Sequence, residues 1–143
     1  MINPNSTLEE LNNLNKNTLM EQLGIEYLEV KDGFVSARMP VNEKTRQPMG
    51  ILHGGSSLAL AETVGSLGSA FIVDLDKYDV RGSHMSANHV RAAKTGWVVA
   101  KAMIIHRGRN THVWNIDIFD EDEQLVSTCR LTNFIIAHER HRK

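Results

Sequence analysis

Residues 53–62 read HGGSSLALAE and open the segment that decides the fold of this chain. From Leu58 to Val73, every side chain except that of Glu62 is small, apolar or hydroxylated. This run predicts a helix over about residues 53–74 that is buried over most of its circumference. The apolar run itself, residues 58–73, is shorter than the roughly 20 apolar residues of a membrane-spanning helix. A carboxylate is expensive to bury without compensation, so Glu62 is the first candidate functional residue.

The segments on either side of this helix predict antiparallel strands. From Ile25 to Val41, apolar and polar residues alternate around Asp32-Gly33, a dipeptide that favours a tight hairpin turn. The polar loop NEKTRQPMG then leads to the helix. Four further strand-like segments follow the helix, at residues 80–93, 97–106, 111–120 and 124–137. The sum predicts one α+β domain in which a curved antiparallel sheet wraps a single long central helix.

The N-terminal segment, residues 1–24, predicts a short helix that ends near Gly24. A hydroxyl residue followed three positions later by a glutamate forms a capping-box signal, with the candidates Ser6, Thr7, Glu9 and Glu10. A leucine stripe predicts the buried side of this helix: Leu8, Leu11 and Leu14. At the other end of the chain, residues 138–143 predict a flexible basic tail.

The composition predicts one domain over residues 1–143 and argues against several functions. Fractions of 41% hydrophobic and 23% charged residues are ordinary for a globular protein, and a net charge of -1 gives no electrostatic case for nucleic-acid or membrane binding. The single cysteine, Cys129, cannot form an internal disulfide and is interpreted as a small apolar strand residue. The first residues lack the charged start and apolar block of a secretory signal, so we expect a cytoplasmic protein.

The start of the long helix combines poor helix formers with unpaired backbone donors. Gly54 and Gly55 would let the N–H groups of the first turn approach an oxygen that acquires negative charge. Alternatively, the glycines only allow tight packing against the sheet. Glu62 weakens this alternative, unless an ion pair to Arg38 or Arg91 explains the carboxylate.

The spacing between the glycines and the carboxylate predicts a shared site. Gly54 and Glu62 are eight positions apart, which is roughly 12 Å along a helix. A donor that polarises a carbonyl, and a carboxylate that attacks it or activates water for it, must both lie within about 3 to 3.5 Å of that group. If both serve one carbonyl, they come from two subunits related by a twofold axis. Ser66, one turn beyond Glu62 on the same face, could orient the water or steady the carboxylate.

Three stretches of the chain resemble a known family. They are QPMGILHGGSSLALAETVGSLGSA at residues 47–70, SANHVRAA at 86–93 and HRGRNTHVWNIDIFDEDEQLVSTCRLT at 106–132. Over about residues 25–137 the chain resembles the hotdog-fold acyl-CoA thioesterases. It is most similar to the branch that hydrolyses aromatic acyl-CoA esters, including 1,4-dihydroxy-2-naphthoyl-CoA of menaquinone synthesis. HGG with a glutamate nine positions after the histidine is a fairly specific signature.

The resemblance implies a sheet curled around one helix, in dimers that usually pair again as tetramers. By this similarity the Gly54 N–H polarises the thioester carbonyl, and Glu62 of the facing subunit acts as nucleophile or general base. His53 and Gln47 would hold the thioester, and Ser66 would position the water. The acyl pocket would be lined by Met49, Leu67 and Ala70. Further substrate contacts would come from Gly55, His89, Arg91, Gly108 and Arg109. No cofactor is implied beyond the CoA of the substrate.

Several of these residues keep a second interpretation. His53 could equally cap the helix, and His89 could be a core histidine. Arg91 could be a surface cation. The turn at residues 107–110 could meet the CoA phosphates with backbone N–H groups and a guanidinium, or it could be a solvated hairpin turn.

Other chemistries find less support in the sequence. The seven histidines show no zinc-type pattern, so we expect no metal. No serine lies in a GxSxG elbow and Cys129 has no obvious activating partner, so neither residue type is expected to be the nucleophile. Two alternatives to a thioesterase stay open. One is a hotdog dehydratase or hydratase, although the HFPG-like or aspartate-bearing segment of those families is missing; the other is a non-catalytic acyl-CoA-binding domain, which would not need Glu62.

Overall fold

A computed structural model describes residues 1–141 of the chain. Its helices and strands, in chain order, are α1 (Leu8–Asn13), α2 (Leu19–Leu23), β1 (Glu26–Lys31), β2 (Phe34–Pro40), α3 (Gly54–Ile72), β3 (Tyr78–His89), β4 (Trp97–Arg107), β5 (Thr111–Phe119) and β6 (Leu125–Ala137). A 3₁₀ turn follows at Glu139–His141, where Arg140 Nη2 donates to the Asp76 carbonyl at 2.8 Å. Residues 142–143 of the predicted basic tail lie outside the described part, and the flexibility of that tail stays a prediction.

The six strands form one antiparallel sheet in the order β1-β2-β4-β5-β6-β3, which confirms the predicted α+β fold. β1 and β3 are the two edges of this sheet. α3 contacts all six strands, so the sheet surrounds one long helix. The helix spans Gly54–Ile72 with His53 as its N-cap, in agreement with the predicted residues 53–74.

The side chains of β5 alternate between the core and the outer face of the sheet. His112, Trp114, Ile116 and Ile118 are all buried, as the period of two in this segment predicts. Cys129 on β6 is also buried in the core, which confirms its interpretation as a small apolar strand residue. The core therefore lies between this face of the sheet and α3.

The N-terminal segment differs from the prediction of one helix. The capping box is confirmed, because Thr7 Oγ1 accepts from the Glu10 N–H while Glu10 Oε2 accepts from the Thr7 N–H. The helix then breaks between α1 and α2, where the side chains of Asn15 and Thr18 bond to backbone carbonyls. α2 ends at Gly24, whose φ of 72° lies in the left-handed region that favours glycine.

The predicted leucine stripe is wrong except at its middle position. Leu11 is buried at 1% exposure, whereas Leu8 and Leu14 are 40% and 50% exposed. The reason is the break after α1: a helix of six residues presents one leucine to the core, and its flanking leucines fall at or beyond its ends.

β3 begins and ends earlier than predicted. It spans Tyr78–His89 rather than residues 80–93. The Ala93 carbonyl instead accepts from the Leu52 N–H at 2.8 Å, which ties this part of the chain to the loop that precedes α3. The end of β3 is thereby held beside the start of the long helix.

Two glycines let α3 lie close against the sheet. A Cβ on Gly65 would lie 2.5 Å from the Leu131 side chain, and a Cβ on Gly68 would overlap the Trp114 ring. Larger residues at these positions would push the helix away from the sheet. Within residues 1–141, no helix is both long enough and apolar enough to cross a membrane.

Candidate active site

Glu62 lies on the side of α3 that faces the edge strand β3 and a large cavity. It is exposed in the protomer, so the expectation of a buried carboxylate is wrong. The side of the helix that carries Gly65 and Gly68 is covered by the sheet. The side that carries Glu62 opens on a cavity of about 820 Å³, and its residues recur at helical spacing: Ala59, Glu62, Thr63, Ser66 and Ala70.

The Glu62 carboxylate makes no hydrogen bond or ion pair within residues 1–141. The ion-pair alternative is wrong for both arginines. Arg38 pairs with Glu26 at 2.9 Å, and Arg91 Nη2 donates to Gln124 Oε1 at 3.4 Å. An unpaired carboxylate on a cavity wall is free to bind or react with a ligand.

Gly82 on β3 leaves room for this carboxylate. A Cβ at position 82 would lie 2.5 Å from Glu62 Oε1, so a larger residue would displace the carboxylate. Sequence reasoning missed Gly82, because the pattern of a strand does not report which side chain lies opposite it. Gly82 is therefore a supporting residue of the candidate site.

The rest of the large cavity is mostly apolar. Leu67 and Ala70, which are expected from the resemblance to line the acyl pocket, both line this cavity. Much of the remaining wall comes from the N-terminal segment and the flanks of β1 and β3, including Ile2, Leu19, Met20, Tyr27, Leu75 and Tyr78. Sequence reasoning missed the N-terminal part of this wall, because residues near the start of the chain have no periodic relation to α3.

The first turn of α3 leaves one backbone donor free. His53 Nδ1 accepts from the Gly55 N–H at 2.7 Å, which confirms that the histidine caps the helix. The N–H groups of Ser56 and Ser57 bond to the His53 carbonyl. The Gly54 N–H has no acceptor within residues 1–141, so it is the donor that an incoming oxygen can use.

His89 lies against this glycine. Its Nδ1 is 2.6 Å from Ser127 Oγ, and its Nε2 would be 2.7 Å from a Cβ on Gly54. The core interpretation of His89 is wrong, because the residue is exposed in the protomer. The ring thus fills the space that any larger residue at position 54 would need.

A second cavity, of about 400 Å³, lies at the start of α3. Its wall includes Gln47, Gly54, Ser57, His89, Arg91 and Ser127. Glu62 does not line this cavity, and Gly54 does not line the large one. The separation agrees with the roughly 12 Å between the two residues along the helix. One protomer therefore does not bring the donor and the carboxylate to the same point.

Gln47 and Met49 lie on the loop before α3. Gln47 Oε1 accepts from the Met49 N–H, which leaves the side-chain NH₂ group of Gln47 without a partner in the described part of the chain. Met49, expected to line the acyl pocket, is 83% exposed and lines neither of the two cavities. The structure therefore brings Gln47, but not Met49, next to Gly54.

The turn expected to meet the CoA phosphates lies apart from both cavities. The Gly108 N–H donates to the Thr111 carbonyl at 2.9 Å, and Arg107 pairs with Asp32 at 3.1 Å, so both groups are already engaged. The Arg109 side chain is exposed and makes no ion pair within residues 1–141. Arg109 is the cation of this turn that is available to a phosphate.

Cys129 is not placed to react. Burial and the nearby Asp117 carboxylate raise the pKa of its thiol to about 11, so the nucleophilic thiolate is scarce at neutral pH. Among the described residues, no three His, Cys, Asp or Glu side chains are grouped to hold a metal ion. Glu62 therefore stays the candidate reactive group of this site.

The chain is similar to known proteins over most of its length. The sequence model of the thioesterase superfamily matches residues 49–127. A relative from Vibrio cholerae is 50% identical over 126 residues, which cover 88% of this chain and 83% of the relative. The proofreading thioesterase EntH of Cronobacter turicensis is 42% identical over 131 residues, which cover 92% of this chain and 95% of EntH.

Solved structures of thioesterases share the fold. A thioesterase from Haemophilus influenzae gives a TM-score of 0.89 at 42% identity, covering 96% of each chain. The chain belongs to the thioesterase superfamily and has the hotdog fold, which confirms the resemblance at that level. It is therefore a thioester hydrolase by class.

Proposed function

We propose that this protein is an acyl-CoA thioesterase that hydrolyses an aromatic or similarly bulky acyl-CoA to the free acid and CoA. The observation that carries the proposal is the unpaired Glu62 carboxylate on a large, mostly apolar cavity. A relative named as a proofreading thioesterase supports the reaction class. The resemblance to the branch that acts on 1,4-dihydroxy-2-naphthoyl-CoA supports an aromatic acyl group, which would give the enzyme a role in menaquinone synthesis.

In the proposed reaction, the free Gly54 N–H hydrogen-bonds the thioester carbonyl oxygen and stabilises the negative charge that develops on it. The partial positive charge at the N-terminus of α3 adds to this effect. His53 Nδ1 already accepts a hydrogen bond, so the neutral ring carries its hydrogen on Nε2, from where it can donate to the thioester. The side-chain NH₂ group of Gln47 is the further donor on this side of the substrate.

Glu62 then attacks the carbonyl carbon, or it removes a proton from the water that attacks. Direct attack would form a mixed anhydride and release CoA as a thiolate that takes up a proton, after which water would hydrolyse the anhydride. The hydroxyl of Ser66 has no partner within residues 1–141 and lies one turn from Glu62 on the same cavity. We assign to it the orientation of the water.

Two copies of the chain are needed to assemble this site. Gly54 and Glu62 line different cavities of one protomer. β3 is an edge strand of 12 residues that contains neither lysine nor proline, the residues that commonly protect an open edge. A second copy that pairs along this edge would cover it in a twofold dimer and could bring Glu62 to the neighbouring helix start. Pairing of such dimers into tetramers is part of the proposal.

The CoA portion would lie at the small cavity and beyond it. His89 and Arg91 are held beside Gly54 there, and Arg109 would bind a phosphate. Gly55, which has no side chain, would let the substrate come close to the backbone at the helix start.

No cofactor is proposed beyond the CoA of the substrate. We propose the cytoplasm as the compartment, since the one cysteine is buried and unpaired.

The test is release of free thiol from benzoyl-CoA and from a long-chain acyl-CoA, with wild type compared with Glu62→Gln. Loss of a positioned acid–base or nucleophilic group should reduce kcat/KM by about 10²-fold or more. Glu43→Gln, which changes an exposed glutamate on the loop before α3, is the matched control and should retain activity.

Three results would contradict the proposal. Turnover of Glu62→Gln within tenfold of wild type would remove the assigned role of the carboxylate. Tight binding of acyl-CoA without any thiol release would favour a non-catalytic binding domain. Hydration of an enoyl-CoA without thiol release would favour a hydratase.

A further inference from the structure

The Tyr27 hydroxyl is a polar group that the proposed reaction does not use. Tyr27 on β1 is 4% exposed and lines the large cavity together with Glu62. Its hydroxyl has no hydrogen-bond partner within residues 1–141. Among the described residues, Asn133 Oδ1 is the one unpaired side-chain atom that is closed to solvent. The unpaired Tyr27 hydroxyl is not closed in this way, so it retains a small accessible surface.

The position of Tyr27 in this wall is held from two sides. Asn12 Oδ1 accepts from the Tyr27 N–H at 2.8 Å, and Asn12 Nδ2 donates to the Tyr27 carbonyl at 3.1 Å. On the other side, Tyr27 pairs with Ala37 of β2. A side chain on a backbone fixed in this way presents its hydroxyl at a defined point, which is what selective recognition requires.

The chemistry of the hydroxyl follows from its burial. Burial raises the pKa of Tyr27 to about 12, so the phenol is uncharged at neutral pH. An uncharged phenol can both donate and accept a hydrogen bond. An unsubstituted acyl group that displaces water from this point would leave the hydroxyl unpaired, which should weaken its binding about tenfold relative to a group that restores the bond.

We infer that Tyr27 determines specificity: its hydroxyl hydrogen-bonds a hydroxyl or carbonyl oxygen on the acyl group bound in the large cavity. The inference rests on the proposed thioesterase function, because that function assigns the acyl group to this cavity. Among the other polar groups of this wall, Glu62 and Ser66 are assigned to the reaction. The Thr63 hydroxyl donates to the Ala59 carbonyl at 2.7 Å. The half-buried Tyr78 is the other phenol of this wall that could bond the same acyl oxygen.

The experiment compares benzoyl-CoA with 2-, 3- and 4-hydroxybenzoyl-CoA for wild type, Tyr27→Phe and Tyr78→Phe. Wild type should prefer at least one hydroxybenzoyl isomer by about tenfold in kcat/KM. Tyr27→Phe keeps the ring, and it should bring that ratio to about one by lowering kcat/KM for the preferred hydroxybenzoyl isomer. Tyr78→Phe should keep the wild-type ratio.

Each other outcome has a definite meaning. The inference is overturned if wild type shows no preference or if Tyr27→Phe keeps the preference. It is also overturned if Tyr27→Phe loses activity equally on all substrates, or if the preference is lost in Tyr78→Phe instead. If wild type releases no thiol from any of the four substrates, the proposed hydrolysis of aromatic acyl-CoA is wrong, and the inference on Tyr27 falls with it. If Glu62-dependent release is found but Tyr27→Phe shifts no ratio, only the role of Tyr27 fails.

Discussion

The two faces of α3 are built in opposite ways. On the face toward the sheet, Gly65 and Gly68 lie against Leu131 and Trp114 with no space for a Cβ. On the face toward the large cavity, the Glu62 carboxylate has no partner within residues 1–141. One face is therefore filled by the fold, and the other is left open for something that the protomer does not contain.

Polar groups show the same contrast. Ser69, on the sheet side, accepts hydrogen bonds from Trp114 Nε1 and Asn133 Nδ2, both at 2.9 Å, and its oxygen is 2.9 Å from His112 Nδ1. With both lone pairs used, the serine hydroxyl donates to His112 Nδ1, so the imidazole is neutral with its hydrogen on Nε2. Ser66, three positions earlier on the cavity side, has no such partner.

The difference separates polar groups that hold the fold together from polar groups that are available to a ligand. A hydroxyl that is buried and hydrogen-bonded specifies how the helix sits on the sheet. A carboxylate and a hydroxyl left without partners beside a cavity are the groups expected to act on a ligand. The sheet side is not perfectly satisfied, since Asn133 Oδ1 is buried without a partner in the described residues.

The largest effect is expected from mixing two variants that damage the site at different places. Glu62→Gln removes the carboxylate, and Gly54→Val fills the space taken by the His89 ring and covers the free N–H. Each variant alone should lose about 10²-fold or more in activity. If each site uses Gly54 of one copy and Glu62 of another, random pairing should restore about a quarter of the wild-type sites.

The mixture is formed by coexpression with two different tags, and native mass spectrometry checks that mixed dimers are present. Each variant mixed with itself is the control. Inactive mixed dimers would show that the open face of α3 does not meet the helix start of a second copy.

A smaller effect, on stability rather than activity, is expected on the sheet side. Gly68→Ala places a Cβ into the Trp114 ring and should lower the free energy of unfolding by about 1–3 kcal/mol through overpacking. Ser66→Ala, on the cavity side of the same helix, is the matched control and should change it by less than about 0.5 kcal/mol. Urea unfolding monitored by circular dichroism measures both. Equal destabilisation by the two substitutions would erase the contrast between the faces.

The smallest effect is expected from pH. Burial, with the nearby Arg107 and His106, lowers the pKa of His112 below its usual value near 6.5. The unfolded chain then binds this proton more readily than the folded one, so the stabilisation is present above the unfolded pKa and is lost as pH falls through the folded pKa. Urea midpoints from pH 7.5 to 5 should fall more for wild type than for His112→Gln. Identical pH profiles would show that His112 does not titrate across folding.

Much of the candidate site was open to prediction from local pattern. The helix start, the span of α3 and the positions of Gly54, His53 and Glu62 follow from residue type and spacing over a few turns. The burial of Glu62 was predicted wrongly, because a run of small and apolar residues looks the same whether one side faces a core or a cavity. The leucine stripe failed for a related reason, since local side-chain bonds ended α1 early.

The sequence alone determined the order of the six strands and the long helix along the chain, and a glycine-rich helix start eight positions before a carboxylate. These depend on interactions between near neighbours along the chain. Only the tertiary structure decided that Gly82 makes room for Glu62, that His89 lies against Gly54, and that Tyr27 forms part of the same cavity. Such contacts join residues that are far apart in sequence, and they are set by how helix and sheet pack, which the pattern of any single segment does not record.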